Sequence, residues 1–358
     1  MGMKIMFYIN TITYGGAERV LLNLAEKLSE RNNECILVTS FTEKEFEFKV
    51  GAKILRISLT KERINNVLFR NITYIRLLRK KINKYKPDIL ISFMPEANYR
   101  AIISKFGKTK SIISVRNDPN REYASFFGKI LAKTLYKLSD GVVFQTEDAK
   151  RWFPKSIQNK SRIIYNLVDD KFYGITYDGC RKDIVTTGRL NSQKNQRMLI
   201  DAYANICDTI EDRLLIYGVG NLRDNLSKQI KAYHLENKII LKGTSSDIPN
   251  EIKSAKLYVM SSNFEGVPNA LMEAMALGLP CISTDCPCGG PKMLFGDKLK
   301  DCLVPINNTY AMGNKIKALL SNKKGRDEIA ILCKQQAEVF HPKVIIKQWE
   351  EYIKMVIK

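Results

Sequence analysis

The segment from Phe264 to Ala276 combines two carboxylates with the predicted start of a helix. Glu265 lies in a turn with Gly266 and Pro268 that follows an apolar strand, and Glu273 lies about one turn inside the helix. The first amide groups of a helix have no intrahelical acceptor and carry the positive end of the helix dipole, so they can bind a diphosphate. Glu265 could then accept hydrogen bonds from sugar hydroxyls and Glu273 from ribose hydroxyls.

The same segment has a second interpretation, as an ordinary helix start with favourable carboxylates and apolar side chains packed inward. Two acidic residues eight positions apart are common, so the spacing of Glu265 and Glu273 does not decide between the two interpretations of this segment. If the segment binds a diphosphate, the amides that face it are those of Asn269, Ala270 and Leu271.

A basic loop follows the first strand of the second half of the chain. The predicted strand Ile184–Thr187 leads into Gly188, and Arg189 and Lys194 follow before the next helix. Arginine offers a planar fork to phosphate oxygens and lysine a compact charge, so this loop could bind the same diphosphate. A solvated loop with two basic residues is the alternative.

A glycine turn, Gly15-Gly16, stands between the first strand and the first helix. Glycines let the backbone approach an anion closely, and they serve a tight strand-to-helix turn equally well. This piece alone therefore indicates no particular function.

Taken together, these residues resemble glycosyltransferase family 4, and the resemblance covers nearly the whole chain. It is carried by Gly15-Gly16, the Arg189/Lys194 loop, Glu265-x7-Glu273, Val143-Phe144-Gln145-Thr146 and Cys281-Ile282-Ser283-Thr284-Asp285. The resemblance implies an α/β fold of the GT-B type, with two Rossmann-like, doubly wound parallel-sheet domains that face a central cleft. It also implies a retaining transfer from a nucleotide-diphospho-sugar, UDP with a hexose or N-acetylhexosamine being the commonest donor among relatives.

The resemblance further implies a reaction without a metal or other cofactor. Cleavage of the bond to the sugar leaves negative charge on the diphosphate, which Arg189, Lys194 and the helix amides would stabilise. No Asp-x-Asp motif occurs in the chain. The predicted catalytic residues are Arg189, Lys194 and Glu265. The predicted donor-binding residues are Gly15, Gly16, Gly188, Asn269, Ala270, Leu271 and Glu273.

One departure from the family pattern concerns the first half of the chain. Many family members carry a histidine there, whereas His234 and His341 both lie in the second half. The corresponding strand end, Ser114–Pro119, resembles a subgroup that assembles bacterial polysaccharides and lipid-linked oligosaccharides. Arg116 and Asn117 either replace the histidine or belong to an ordinary Asp-Pro turn.

Two further polar residues follow another strand of the first half. Glu96 and Asn98 lie directly after the run Asp88–Phe93. We interpret them, with Arg116 and Asn117, as contacts of a lipid-linked or glycan acceptor.

Seven short apolar runs between residues 4 and 164 and six between 183 and 304 are predicted strands, with helical patterns between most of them. We predict an acceptor-binding domain at residues 1–167, a linker at 168–182, a nucleotide-sugar-binding domain at 183–342 and a C-terminal helix at 343–358. We expect that helix to pack back toward the first domain. The N-terminal apolar run lacks the features of a signal peptide and is predicted as a strand.

The chain is strongly basic, with a net charge of +21. Residues 1–170 contain 31 Lys+Arg against 17 Asp+Glu, and residues 61–86 contain nine against one, Glu62. Apolar residues at helical spacing in this stretch predict a helix, Ile64–Tyr85, that packs its apolar side on the sheet. Its basic face could dock on an anionic membrane, and Tyr123, Phe126 and Phe127 could reach the interface.

Other partners and functions are weaker alternatives. No helix-turn-helix, zinc-finger or RNP pattern supports nucleic acid as a partner. A GT-B enzyme with a small soluble acceptor, or a nucleotide-sugar hydrolase, is closer to the pattern. Eight cysteines without a CxxC pair indicate reduced thiols, so we expect a cytoplasmic protein, peripheral on the inner face of the plasma membrane.

Overall fold

The computed structural model describes residues 2–13, 15–42, 47–177 and 179–358. The chain divides into two compact units, of which the first contains Met1–Leu167 and Pro342–Lys358 and the second Val168–His341. Residues 168–182, predicted as a linker, therefore lie in the second unit, where Phe172 is buried and Val168 N donates to Phe340 O (3.2 Å).

The first unit contains a seven-stranded parallel sheet in the order β3-β2-β1-β4-β5-β6-β7. Its strands are β1 Lys4–Ile9, β2 Glu34–Thr39, β3 Ile54–Ser58, β4 Ile89–Phe93, β5 Lys110–Ser114, β6 Gly141–Phe144 and β7 Ser161–Ile163. The central strands are buried along nearly their whole length and are mostly apolar because helices cover both faces of the sheet. Along β1, Ile5, Phe7 and Ile9 enter one core, and Met6 and Tyr8 enter the other.

Helices of the first unit pack on these two faces. They are α1 Gly16–Ser29, α2 Val67–Tyr85, α3 Pro95–Ser104, α4 Pro119–Glu122, α5 Phe126–Leu135, α6 Glu147–Arg151 and α7 Lys155–Gln158. Residues of α1 share a core with Ile5 and Phe7, and residues of α2 and α3 share the other core with Met6 and Tyr8. The predicted apolar side of α2 is only partly buried: Leu78 and Ile82 pack inward, but the early apolar residues are exposed.

The second unit contains a six-stranded parallel sheet in the order β10-β9-β8-β11-β12-β13. Its strands are β8 Lys182–Thr187, β9 Leu214–Tyr217, β10 Ile239–Gly243, β11 Ala255–Met260, β12 Cys281–Thr284 and β13 Leu303–Val304. Its helices are α8 Gln196–Ala204, α9 Arg223–Ala232, α10 Ile248–Ile252, α11 Asn269–Ala276, α12 Gly290–Phe295, α13 Thr309–Ser321 and α14 Lys323–Ala337. Both sheets thus have the Rossmann-like, doubly wound topology that the resemblance implies.

The C-terminal helix, α15 Pro342–Ile357, belongs to the first unit. Its apolar side joins the core of α1, and Trp349 stacks on Phe93 with ring centroids 6.2 Å apart. The Tyr352 hydroxyl accepts from Val142 N (2.8 Å) and donates to Lys160 O (2.5 Å). No helix in the described part of the chain has the length and apolar composition needed to span a bilayer.

Candidate donor site

The loop between β8 and α8 is the first part of the candidate site. Gly188 has φ +153° and its backbone amide is bonded to Tyr217 O (2.9 Å). The Lys194 stem passes so close to it that a Cβ at position 188 would lie 3.3 Å from Lys194 Cε. Glycine therefore allows the lysine side chain to fold back over the start of its own loop.

Lys194 and Glu265 form an ion pair at the centre of the candidate site. Lys194 Nζ donates to Glu265 Oε1 at 2.6 Å, and the two side chains are only 20 % and 8 % exposed. Gln193 Nε2 donates to Phe264 O (3.1 Å) and lies 3.4 Å from Glu265 Oε2. The two residues that the sequence places 71 positions apart are thus held together, and both carboxylate oxygens face the basic loop.

A network of amide side chains connects the two loops. Asn263 N donates to Gln193 O and Asn263 Nδ2 to Ser192 O, both at 2.8 Å. Asn195 Nδ2 donates to Asn263 Oδ1 (2.9 Å), and Ser261 Oγ donates to Lys194 O (2.9 Å). These bonds fix the backbone on either side of the Lys194–Glu265 pair.

A third segment holds Glu265 from its other side. Glu265 N donates to Pro287 O (2.7 Å), and Cys288 N donates to Glu265 O (2.9 Å). A Cβ at Gly290 would overlap the carbonyl oxygen of Gly266, so glycine lets the start of α12 approach this turn. Burial raises the pKa of the neighbouring Cys286 thiol to about 12, which keeps it uncharged beside the carboxylate.

The start of α11 lies directly after this turn. Pro268 precedes the helix and has no side-chain acceptor that could cap the amides of Asn269, Ala270 and Leu271. Asn269 and Ala270 are half-buried, whereas Leu271 is fully buried, so its side chain holds the helix start on the core. Glu273, in the second turn, is 8 % exposed.

Arg189 is exposed and its carbonyl oxygen accepts from Gln196 Nε2 (2.9 Å). It lies at the carboxyl end of β8, at the edge of a parallel sheet where such folds bind ligands. The second unit thus brings together a loop with two cations, a buried carboxylate and a helix start. Such a set can bind a diphosphate through charge and amides, and polyhydroxyl groups through the carboxylate.

The predicted glycine turn lies in the first unit. Gly15 is the N-cap of α1, with φ −115°, and its N–H donates to Thr13 O (2.5 Å). Gly16 begins the helix and is exposed. Donor binding by these two glycines stays a prediction.

Glu96 lies at the start of α3, with its side chain 54 % exposed. Arg100 Nη2 donates to Glu96 Oε2 (2.8 Å), and Arg100 Nη1 donates to Asn10 Oδ1 (2.6 Å) at the end of β1. Arg70, from α2, lies 3.9 Å from the same carboxylate. Both arginines are buried, and no motif in the sequence marks either of them as part of this sheet edge.

Asn98 lies in the core of the first unit, whereas the sequence predicted it as a contact of the acceptor. It is fully buried, accepts from Ser92 Oγ (2.8 Å) and donates to Ser114 O (2.9 Å) and Tyr136 OH (3.1 Å). Its amide therefore connects the ends of β4 and β5 inside the core, rather than lying at the surface where an acceptor contact was predicted.

Arg116 and Asn117 lie just after β5. The Arg116 guanidinium packs 3.6 Å from the Phe93 ring centroid, and its Nη1 donates to Asn166 Oδ1 (2.6 Å). Its Nε and Nη2, and Oδ1 of Asn117, have no hydrogen-bond partner among the described residues. Burial lowers the pKa of Arg116 to about 9, and burial also raises the pKa of nearby Glu122 to about 8.

Several positioning residues of the site were missed from the sequence. Gln193, Asn263, Ser261 and Gly290 are common residue types in loops, and their partners are distant along the chain. Only the three-dimensional arrangement shows what they hold. In the ranges that the structure describes, no three His, Cys, Asp or Glu side chains are grouped so that they could hold a metal ion.

Two family models match the chain, one in each half. The Glycosyltransferase Family 4 model matches residues 14–172, and the Glycosyl transferases group 1 model matches residues 175–335. An uncharacterized glycosyltransferase of Methanocaldococcus jannaschii is 30 % identical over 279 residues, which cover 68 % of this chain and 69 % of that protein.

A second relative matches along nearly its whole length. It is the Campylobacter jejuni N-acetylgalactosamine-N,N'-diacetylbacillosaminyl-diphospho-undecaprenol 4-alpha-N-acetylgalactosaminyltransferase, 29 % identical over 98 % of this chain and 99 % of that protein. Among solved structures, Anabaena Alr3699/HepE in complex with UDP is similar with a TM-score of 0.83, over 99 % of this chain and 100 % of that one, at 19 % identity. The chain therefore belongs to glycosyltransferase family 4 and is a glycosyltransferase with the GT-B fold.

Proposed function

We propose that this protein is a retaining glycosyltransferase that moves a hexose or N-acetylhexosamine from a UDP-sugar to a lipid-linked or glycan acceptor. The proposed pathway is the assembly of bacterial surface polysaccharide or oligosaccharide. The observation that carries the donor assignment is the Lys194–Glu265 pair, 2.6 Å apart and directly before the start of α11.

The proposed donor contacts follow from the chemistry of each group. The ammonium of Lys194 has three N–H donors, of which Glu265 takes one, so it can also bind a phosphate oxygen. Arg189 and the first amides of α11 supply further donors for the diphosphate, and Glu265 and Glu273 accept from sugar and ribose hydroxyls.

These groups also suit the leaving diphosphate. Negative charge grows on it as the sugar departs, and preorganised cations stabilise that charge more in the transition state than in the ground state. We propose that Arg189 and Lys194 do this without a divalent ion. The departing diphosphate would help to deprotonate the incoming hydroxyl on the same face of the sugar, which retains the anomeric configuration.

The relatives support the donor and acceptor assignments. HepE was solved with UDP, and the name of the C. jejuni relative gives it an alpha-linked N-acetylgalactosamine and a diphospho-undecaprenol acceptor. A lipid-linked acceptor would place this protein at a membrane surface. The exposed Arg79, Lys80 and Lys84 on α2 support peripheral binding to the anionic inner leaflet of the plasma membrane.

A thermal-shift screen of nucleotide-sugars tests the proposal. A bound donor raises the apparent stability by mass action, so UDP-sugars should raise the Tm in a concentration-dependent way. CDP- and GDP-sugars serve as controls for the base. If no nucleotide-sugar changes the Tm, while sugar-free anions do, the donor assignment would be contradicted.

A further inference from the structure

The first unit exposes large apolar side chains at the beginnings of two helices. In α2 the first two turns carry Val67, Leu68, Phe69 and Ile72, which are 40–72 % exposed. In α5 the first two turns carry Phe126 and Phe127, which are 72 % and 82 % exposed, followed by Ile130 and Leu131. We call these eight residues the apolar face: Val67, Leu68, Phe69, Ile72, Phe126, Phe127, Ile130 and Leu131.

The apolar face belongs to one layer of helices. The crossovers from β3 to β4, β4 to β5 and β5 to β6 all run in the same direction across the sheet. Because such crossovers are right-handed, their helices α2, α3 and α5 lie on the same face of the sheet. The contacts agree, since α3 packs against both α2 and α5.

The two exposed helix starts also lie at the same edge of the sheet. In α2, Asn71 accepts from Arg100 Nε (2.9 Å), and Arg100 also donates to Asn10 at the carboxyl end of β1. α5 follows the carboxyl end of β5 after the short helix α4. The apolar face therefore borders the sheet edge that carries Glu96, Arg116 and Asn117.

Basic residues accompany the apolar face, and acidic residues are scarce there. No Asp or Glu occurs between Glu122 and Asp140, whereas Lys129, Lys133 and Lys137 do. Directly before α2, Lys61 and Arg63 are exposed, with Glu62 between them, whereas Arg79, Lys80 and Lys84 lie toward the other end of this 19-residue helix. Apolar tips beside cations are complementary to a bilayer with anionic headgroups, which offers hydrocarbon and negative charge in one place.

We infer that the apolar face inserts into the headgroup and upper acyl region of an anionic bilayer, with Phe126 and Phe127 as its principal anchors. This inference rests on the proposed lipid-linked acceptor and adds an apolar anchor to the charge-based docking of α2. Insertion at these helix starts turns the carboxyl edge of the first sheet toward the membrane. The headgroup of a lipid-linked acceptor is then presented to the edge that carries Glu96.

The sequence pattern places Tyr123 with the two phenylalanines among the aromatic residues that could reach the interface. That part of the interpretation is wrong, because Tyr123 is 2 % exposed and its hydroxyl is bonded to that of Tyr136 (2.8 Å). The anchor is the phenylalanine pair at the start of α5.

Vesicle flotation of full-length variants tests the inference. The probe is vesicles of phosphatidylcholine with phosphatidylglycerol, at low and high salt. The double variant Phe126→Ser/Phe127→Ser should bind about tenfold more weakly or worse, and it should be released at a lower salt concentration than the unmodified protein. The matched control Val219→Ser/Tyr310→Ser removes two exposed apolar side chains from the second unit and should bind as the unmodified protein does.

A fluorescent variant measures insertion directly. The emission added by Phe127→Trp should shift to the blue on vesicle binding and be quenched by lipids with brominated acyl chains. The emission added by Tyr310→Trp should be unaffected. If the emission added by Phe127→Trp is not quenched in the bound protein, the inference is overturned, and equal flotation of the phenylalanine and control variants would overturn it too.

Two other results would also overturn the inference. One is the absence of binding to any vesicle. The other is self-association that depends on protein concentration and is lost in the Phe126→Ser/Phe127→Ser variant, because this result would assign the apolar face to contact with a second copy of this chain. UDP release with a short soluble acceptor separates these failures from a failure of the proposed function. That turnover should be equal in the phenylalanine variant and the unmodified protein, because the donor residues lie in the second unit.

Discussion

The ion pair between Lys194 and Glu265 combines opposite charge, a short distance and little exposure to solvent. Each partner alone would be an ordinary loop residue. Together they place a cation and a hydrogen-bond acceptor beside the start of α11. The cation suits a diphosphate, and the carboxylate suits the hydroxyl groups of a sugar. If the pair binds the donor as we propose, removal of one partner should act on the transition state as well as on the fold.

We expect Lys194→Ala and Arg189→Ala each to lower kcat/KM for the donor by on the order of a hundredfold, as lost transition-state donors do. Steady-state UDP release at saturating acceptor measures the effect. Arg197→Ala, which removes an exposed cation from the following helix, is the control and should have little effect. A variant that keeps most of its activity would return its residue to the solvated-loop interpretation.

The carboxyl of Glu122 predicts a pH dependence of stability. Burial, followed by the charge of Asp118, raises its pKa from 4.5 to about 8. The unfolded chain ionises near pH 4.5 while the folded chain keeps the proton, so this group lowers the free energy of unfolding progressively between pH 4.5 and 8. Glu122→Gln cannot ionise and should lose that dependence.

Thermal melts at about pH 5 and about pH 8 measure this difference. The Tm of Glu122→Gln relative to the unmodified protein should be higher at the upper pH than at the lower. The exposed Glu62→Gln should show no such change between the two pH values. The same Tm difference for Glu122→Gln at both pH values would show that the carboxyl is ionised in the folded protein.

At the scale of elements, strands were predicted far better than packed surfaces. Buried strands of a parallel sheet are mostly apolar, so the thirteen apolar runs identified from the sequence correspond to β1–β13 within one or two residues at each end. For α2 the helix was predicted correctly, but its periodicity did not show that Val67, Leu68 and Ile72 stay exposed. Burial depends on how far the neighbouring helix extends, which local spacing does not contain.

The candidate site was predictable only in part, for a related reason. Arg189, Lys194 and Glu265 stand at strand ends, and parallel topology brings strand ends to one edge. The bonds that hold them come from Gln193, Asn263 and the Pro287–Cys288 backbone, each far away in sequence from its partner. Asn98 shows the converse, because a polar residue after a strand was expected at the surface and is part of the core.

The C-terminal helix α15 gives a testable element-scale consequence. Trp349 is 1 % exposed and stacks on Phe93, within the core that α15 shares with α1. Trp349→Ala should lower the free energy of unfolding of the first unit by about 3–5 kcal/mol. Chemical denaturation measures it, with Met355→Ala on the exposed side of the same helix as control. Equal effects of the two substitutions would contradict the packing role of this helix.

At the scale of the whole molecule, positive charge concentrates in the first half of the chain. If α2 docks on an anionic leaflet, the protein should sediment with acidic liposomes and be released as salt rises. Each surface cation contributes about 1 kcal/mol near such a membrane, so the combined change of Arg79, Lys80, Lys81 and Lys84 to Glu should abolish binding.

Turnover of a soluble acceptor should survive that change. The control changes Lys315, Lys317, Lys323 and Lys324 in the second unit to Glu, which alters the net charge equally and should weaken binding much less. Equal loss in both variants would mean that net charge, rather than the α2 surface, governs membrane binding.

The most direct test of the central claim is turnover of a UDP-sugar, with a lipid-linked or soluble acceptor, in excess EDTA. The claim is that Arg189, Lys194 and the start of α11 stabilise the leaving diphosphate without a divalent ion. UDP release should continue at the rate measured without EDTA, and the transferred sugar should keep its anomeric configuration. Loss of UDP release in EDTA that Mg²⁺ or Mn²⁺ restores would contradict the account.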